Sequence, residues 1–215
     1  MFRNTIIVAA IACTGFAGAA HAQDAAPAGY VHVGVAHVEQ ADEATLFAGG
    51  AEVEGAGFRT KGRFTVALEA GAFVYDGIAV SASAMLPVET PNTAAGALEG
   101  LGNLGDEEVG FATATVHYHF NRDGTVSPYV GGGVSYMYVT GTDDGAVTGL
   151  EIDNAFGTAL QAGIDVRLGG SWTLFADAKK LFIETDARGN LGPAPITAEA
   201  TVDPWIFQAG IGFRF

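Results

Sequence analysis

The sequence predicts an all-β protein that forms an eight-stranded antiparallel transmembrane β-barrel. Apolar residues alternate with polar residues or glycine in eight segments, and this period of two is that of a β-strand. The connections between the segments alternate between short and long, and the last segment ends on the aromatic residue Phe215. Bacterial outer-membrane barrels share these features, with short periplasmic turns, long extracellular loops and aromatic residues at the membrane interfaces.

Each of the eight segments is about as long as a tilted strand needs to be to cross a membrane. They cover residues 29–40, 62–75, 78–88, 107–120, 127–141, 153–168, 171–185 and 201–215. Three connections, residues 76–77, 121–124 and 169–170, carry glycine where a tight hairpin requires positive φ. The other four, residues 41–61, 89–106, 142–152 and 186–200, are predicted to be long extracellular loops.

The N-terminus has the pattern of a secretory signal peptide over residues 1–22. A basic residue precedes an apolar stretch, and the small residues Ala20 and Ala22 supply the cleavage pattern. Cleavage after Ala22 leaves residues 23–215 as a single barrel domain in the outer membrane of a Gram-negative bacterium. The only cysteine lies in the segment that is removed, so neither a disulfide nor thiol chemistry is expected.

The sequence contains few charged residues and many glycines. Of the 215 residues, 49% are hydrophobic, only 16% are charged and 31 are glycine. Removal of the signal peptide takes one basic residue, which leaves 9 Lys and Arg against 24 Asp and Glu, a net charge of −15. Nucleic acid is therefore not an expected partner, because its phosphates require a basic surface. No cofactor is expected.

The period of two assigns the side chains to two faces. In the fourth segment Thr113, Thr115, His117 and His119 share the face predicted to line the lumen, and the intervening apolar residues are predicted to meet lipid. By the same rule Lys180 falls on the lipid face, where a charge at the bilayer midplane costs about 2–4 kcal/mol unless the side chain reaches the headgroups. A soluble barrel of the lipocalin kind would invert the two faces, and the terminal aromatic and the scarcity of charge disfavour it.

Two sets of luminal residues are candidates for function. Small or flexible inward residues are predicted to line a channel, although inward glycines also relieve crowding where strands bend. This set is Gly131, Gly133, Ser135, Met137, Gly157, Gln161, Met85 and Ile206. Charged residues of both signs are predicted to form a luminal polar network. The first interpretation of this network is a salt-bridged plug, and the second is an element that selects solutes. That set is Glu69, Asp165, Arg167, Asp177, Lys179 and Arg214.

His117 and His119, which lie two residues apart on one strand, have two possible interpretations. Two imidazoles could bind one metal ion, but no second cluster of His or Cys completes such a site, so ordinary luminal histidines are predicted. Enzymatic activity is not expected, because the sequence has no nucleophile elbow, phosphate-binding glycine loop or recognisable catalytic carboxylate pair.

Several segments resemble the OmpW family of outer-membrane proteins. They are residues 115–120 (TVHYHF), 128–134 (PYVGGGV), 162–165 (AGID), 203–207 (DPWIF) and 210–215 (GIGFRF). The resemblance implies a passive channel for small hydrophobic molecules, which leave through a lateral opening in the barrel wall. Family members usually carry a Leu-Pro-Pro-like segment before the fourth strand, where this chain has residues 105–108 (GDEE). Pro87 and Pro91, which deny hydrogen bonds to a neighbouring strand, are the candidates for such an opening here.

Two functions remain open from the sequence. One is the channel for small hydrophobic solutes; the other is a structural, receptor or adhesion protein without transport. Leu98, Leu101 and Leu104 have a spacing of three and are predicted either to form a loop lid over the channel or to contact a partner. The expected partners are outer-membrane lipid, lipopolysaccharide and the barrel-assembly machinery, which would recognise Phe215. A monomer is expected, because closure of a barrel removes every strand edge.

Overall fold

The computed structural model describes residues 29–40, 43–48 and 50–215, and most of them lie in antiparallel strands. The predicted signal peptide lies outside these residues. In chain order the strands are β1 (Gly29–Glu39), β2 (Glu43–Ala48), β3 (Ala51–Glu52), β4 (Ala56–Arg59), β5 (Arg63–Tyr75), β6 (Ile78–Met85), β7 (Val88–Gly96), β8 (Asn103–His119), β9 (Val126–Asp144), β10 (Val147–Ile152), β11 (Ala155–Gly169), β12 (Trp172–Leu191), β13 (Ala194–Thr201) and β14 (Trp205–Arg214). One short 3-10 helix, Glu99–Leu101, precedes β8. Within the described ranges, no helix is long and apolar enough to cross a membrane.

Eight of these strands form a closed ring, which confirms the predicted fold. The order around the ring is β1, β5, β6, β8, β9, β11, β12 and β14, and β14 pairs with β1. Each pairing is antiparallel, and each ring strand overlaps one of the eight predicted segments. The tight turn after β5 has Gly77 at φ 72°, a left-handed conformation that glycine adopts without strain.

The two faces of the ring are those predicted from the period of two. On β8, Thr113, Thr115, His117 and His119 are buried in the lumen, whereas Val116 is 52% exposed on the outside. Large exposed apolar side chains cover the outer face of the ring. Those near the periplasmic end include Trp172, Phe213 and Phe215, and those near the outer end include Phe156 and Trp205. The soluble-barrel alternative is therefore wrong, because it would require a polar outer face.

The four segments predicted as loops are largely paired strands, which corrects that part of the prediction. Strands β8, β9 and β12 continue beyond the membrane, and β2, β3, β4, β7, β10 and β13 pair with them or with one another. Ala94, Leu104, Val147 and Ile196 form a buried apolar cluster inside this extension. Burial of their side chains stabilises strands whose own sequences are too short to hold a sheet alone.

The wall strand after the Asp76-Gly77 turn is interrupted at Pro87. β6 pairs with β5 as far as Met85, and the backbone N–H of Leu86 then donates to the Val66 carbonyl at 2.9 Å. Beyond Pro87, β7 pairs with β8 from Val88 onward and with β4, and no pairing with β5 is found among the described strands. The predicted single strand over residues 78–88 is thus two strands, which both pair with β8 but have different second partners, β5 for β6 and β4 for β7.

Lys180 lies on the outer face of β12, as predicted, and its amine turns toward the extracellular end. The ammonium group donates a hydrogen bond to the Asp203 carbonyl and lies 5.7 Å from the ring centres of both Phe182 and Trp205. Cation–π contact and a carbonyl acceptor replace part of the hydration that the charge loses near lipid.

Aromatic and histidine rings in the lumen lie directly opposite glycines on neighbouring strands. Five cross-strand pairs have this form: Tyr30 with Gly71, His32 with Gly212, His117 with Gly131, Tyr129 with Gly163, and Phe175 with Gly210. A Cβ atom added to Gly163 would lie 2.4 Å from Cζ of Tyr129 and 2.7 Å from Cβ of Asp177. These glycines therefore make room for the rings, so that the narrow interior of an eight-stranded barrel can hold them.

Gly163→Ala is expected to lower the free energy of unfolding by about 1–3 kcal/mol, the usual cost of overpacking a filled interior. Urea unfolding of the purified protein, refolded in lipid vesicles, measures the change. Gly141→Ala is the matched control on another ring strand, because a Cβ atom there has no heavy atom closer than 3.7 Å. Equal unfolding midpoints for the two variants would show that the ring does not depend on the glycine.

Candidate functional site

A cluster of buried polar side chains fills the lumen, and Lys179 is at its centre. Its amine lies 3.1 Å from Glu69 Oε2 and 3.0 Å from Asp177 Oδ1, and it also donates to Gln208 Oε1 at 3.3 Å. All four side chains are nearly inaccessible to solvent. We call this group, with the residues that bond to it, the luminal polar cluster.

The same cluster extends toward the periplasmic end through Arg214 and Asp165. An amine of the Arg214 guanidinium lies 2.7 Å from Asp165 Oδ2, and His32 Nε2 lies 3.4 Å from the other oxygen of that carboxylate. The His32 ring stacks on Phe175 with a centre separation of 4.3 Å. Arg167, predicted as a sixth member of the network, lies apart from it and donates to the carbonyls of residues 122 and 123 in the periplasmic turn.

His117 belongs to the hydrogen-bond network of this cluster. Its Nδ1 lies 3.2 Å from the Tyr30 hydroxyl, and its Nε2 lies 2.6 Å from Thr115 Oγ1 and 2.9 Å from Gln161 Oε1. The Tyr30 hydroxyl also donates to Glu69 Oε1 at 3.2 Å. The buried ring thus has hydrogen-bond partners at both nitrogens, as buried polar groups generally require.

A packed apolar layer lies above the luminal polar cluster, toward the outside. It includes three residues predicted to line a channel, Met85, Met137 and Ile206, which are 7%, 1% and 1% exposed. Phe111 and Leu181 belong to the same layer. Within the described residues, side chains of the layer and the cluster fill the bore of the ring below the extracellular extension.

The other residues predicted to line a channel do not open a bore. Gly131 faces His117, and a Cβ atom on Gly133 would lie 1.9 Å from the Ala114 carbonyl oxygen. A Cβ atom on Gly157 would lie 2.1 Å from the Phe182 carbonyl, and the Ser135 hydroxyl donates to the Thr158 carbonyl. Gln161 belongs to the luminal polar cluster. These glycines allow the close approach of neighbouring backbone and rings.

An apolar cavity of about 100 Å³ lies in the extracellular extension, directly above the packed apolar layer. Met137 and Val202 belong to both, so they form the floor of the cavity. Leu104, Val147 and Ile196 line it higher up and belong to the apolar cluster of the extension. We call this space the outer cavity. Its apolar lining suits a small apolar molecule.

Two of the three leucines predicted as a loop lid lie at the outer cavity or beside its walls. Leu104 lines the cavity and is 9% exposed, and Leu98 packs against the cluster that contains Leu104. Leu101 is 39% exposed, at the end of the short helix. The spacing of three does not continue as a helix, because Leu104 already belongs to β8.

A crevice that is too narrow to hold a water molecule lies in the barrel wall where β5 and β7 do not pair. It is lined by Val38, Gln40, Lys61, Arg63, Val88, Thr90, Val109 and Phe111. Pro87 precedes this stretch and Pro91 follows it within β7, so the predicted prolines flank the wall crevice. Gln40 lines both the wall crevice and the outer cavity. The two spaces therefore adjoin at this side chain.

Glu107 is the one acidic side chain that lines the outer cavity in the described part of the chain. It lies outside the membrane-spanning part of β8, because its neighbour Glu108 is exposed on the outer face, beyond the aromatic residues near the membrane surface. Burial raises the pKa of the Glu107 carboxyl from 4.5 to about 7, while a hydrogen bond with Gln40 acts in the opposite direction. Both the neutral and the charged form are thus accessible near neutral pH.

Comparison with known proteins places the chain among outer-membrane barrels. The sequence matches the OmpW family over residues 27–215. The chain belongs to the OmpW family. It is therefore an outer-membrane protein of the kind found in Gram-negative bacteria.

Individual OmpW-family relatives agree with this assignment. Outer membrane protein AlkL of Ectopseudomonas oleovorans is 30% identical over 151 residues, which cover 70% of this chain and 66% of AlkL. The dibenzothiophene metabolism operon protein PahQ of Pseudomonas aeruginosa is 29% identical over 183 residues, which cover 85% of this chain and 86% of PahQ. The crystal structure of OprG from Pseudomonas aeruginosa shares the fold with a TM-score of 0.82 at 22% identity, and the match covers 88% of this chain and 96% of OprG.

Sequence reasoning missed Glu107 and Gln40 as site residues. Glu107 has the same odd parity as Thr113 and His117, so the alternation on β8 marks it as inward. The predicted strand over residues 107–120 includes Glu107, but only as its first residue beside a predicted loop over residues 89–106. The alternation does not show that the strand begins at Asn103 or that a cavity lies beside Glu107.

Proposed function

We propose that this OmpW-family barrel is a passive conduit for small hydrophobic molecules. The observation that carries the proposal is the position of the outer cavity, which is apolar and lies above a filled bore. A solute that enters this cavity meets the packed apolar layer and then the luminal polar cluster if it continues along the axis. Burying an apolar molecule among those ion pairs would break hydrogen bonds at a cost that its own burial does not offset.

The lateral route is the one that the wall crevice supports. The crevice adjoins the outer cavity at Gln40, and it lies where the interruption at Pro87 leaves β5 without a partner strand. Passage there breaks no backbone ladder, because none joins β5 to β7. A solute that moves sideways along this route reaches the lipid of the outer leaflet.

The name of the relative PahQ refers to dibenzothiophene metabolism, and dibenzothiophene is a small, uncharged fused aromatic compound. A molecule of that class has the apolar character that the outer cavity would bind. The relationship supports the class of solute, and it leaves the particular compound to experiment.

Uptake of a small apolar fluorophore, N-phenylnaphthylamine, by intact Gram-negative cells tests the conduit. Ala200 lines the outer cavity, so Ala200→Phe is expected to reduce the protein-dependent uptake rate several-fold by filling it. Ala162→Phe adds the same side chain on the exposed lipid face of β11 and is the matched control. Equal uptake by cells with and without the protein would overturn the proposed function for this class of solute.

A further inference from the structure

The outer cavity is apolar except for a few polar groups, and Glu107 supplies the one carboxyl group among them in the described part of the chain. Its side chain is only 8% exposed, and it lies between Thr90 on β7 and Thr142 on β9 in the strand register. The charged group that shares the lining, Arg188, is held at the rim by Glu151 at 2.7 Å and by Asp153 at 3.3 Å.

Glu107 also lies at the point where the outer cavity meets the wall crevice. Its hydrogen-bond partner is Gln40, the side chain that lines both spaces. A solute that moves from the cavity to the crevice must pass this pair. The polar end of an amphiphilic solute would therefore contact Glu107, while its apolar part remains among the apolar side chains of the cavity.

The chemistry of a carboxyl group decides which polar ends it accepts. Both its neutral and its ionised form offer an oxygen that accepts a hydrogen bond from a hydroxyl group. At pH values above the pKa of Glu107, where its carboxyl is ionised, an anionic solute such as a carboxylate would instead bring a second negative charge next to it, and like charges held together in a dry site repel strongly.

We propose that Glu107 is a specificity-determining residue of the conduit, which favours apolar molecules bearing a hydroxyl group and discriminates against those bearing a carboxylate. This inference rests on the proposed function. It assigns a substrate preference to a side chain that stands where the resemblance to the OmpW family leads one to expect a Leu-Pro-Pro-like segment.

Three eight-carbon probes, octane, octanol and octanoate, test the inference in intact Gram-negative cells. Initial uptake rates are measured with and without the full protein at pH 8.5, where Glu107 is ionised, and the difference is the protein-dependent rate. Glu107→Gln is expected to raise the octanoate-to-octane rate ratio by about tenfold, because it removes the charge and adds an amide donor. Glu107→Leu is expected to abolish the advantage of octanol over octane. Ratios of rates cancel any difference in the amount of folded protein.

Glu108→Gln is the matched control, since it makes the same chemical change on the exposed outer face of the neighbouring position. Unchanged ratios in both Glu107 variants, together with protein-dependent uptake of octane, would overturn this inference and leave the conduit standing. Octane uptake that does not depend on the protein would overturn the conduit, and the inference would fall with it.

Discussion

Lys179→Met is expected to lower the free energy of unfolding of the barrel by about 3–5 kcal/mol, the usual cost of removing one partner from a buried ion pair. Lys179 is 2% exposed and holds Glu69 and Asp177 at 3.1 Å and 3.0 Å. Without its ammonium group the two buried carboxylates repel each other and lose their closest positive charge. Since native proteins are stable by only about 5–15 kcal/mol, this is a large share of the total.

The measurement is urea unfolding of the purified protein in lipid vesicles, followed by the fluorescence of Trp172 and Trp205. Lys180→Met is the control, because it makes the same change at the next residue, on the outer face. It removes one hydrogen bond to a carbonyl, and its expected cost is about 0.5–1.5 kcal/mol. Addition of Glu69→Gln to Lys179→Met should recover part of the loss. Equal losses for the Lys179 and Lys180 variants would contradict the central position assigned to Lys179.

Val88→Trp is expected to reduce protein-dependent uptake of an apolar solute to the level of cells that lack the protein. Val88 is the first residue of β7 and lines the wall crevice opposite Arg63 on β5. An indole ring there would fill the lateral route and leave the outer cavity open. The closed ring of eight strands should remain intact, because Val88 does not pair with β5.

Uptake of N-phenylnaphthylamine by intact cells measures this effect as well. Val80→Trp places the same indole ring on the lipid-facing side of β6, where the native valine is 44% exposed, and should leave uptake unchanged. Both variants should keep the heat-modifiable electrophoretic mobility typical of a folded barrel. Normal uptake by a folded Val88→Trp protein would show that solutes do not leave through the wall crevice.

The ring of the barrel could be predicted from the sequence because its determinants are local. Alternation with a period of two, kept over about ten residues, requires a strand with one apolar and one polar face. Glycine at tight turns then fixes which ends of the strands meet. For these reasons the eight segments, the two faces of β8 and the outward position of Lys180 agree with the structure.

The extracellular extension and the site could not be predicted, because they depend on pairing between distant strands. β13 contains three alanines among its eight residues, so its weak alternation indicates a loop until its pairing with β12 and β2 is known. The height of Glu107 above the membrane depends on the stagger between β7, β8 and β9. Likewise, the alternation shows that Gly131 lies on the inward face, but its position opposite His117 depends on the register of β8 with β9.

The cross-strand pairs of an aromatic or histidine side chain with a glycine also affect how a barrel of this kind finds its correct register. A slip of one residue between neighbouring strands turns polar side chains toward lipid, and the bilayer itself rejects it. A slip of two residues keeps every side chain on its proper side, so hydrophobicity cannot distinguish it from the native arrangement. It would nevertheless move Tyr129 from Gly163 to Gln161 or Asp165, where its ring would collide with a larger side chain. In one of the two directions it would also move His117 from Gly131 to Tyr129. The paired glycines thus favour the native register over a two-residue slip, an assembly error that the membrane does not detect because every side chain stays on its proper side.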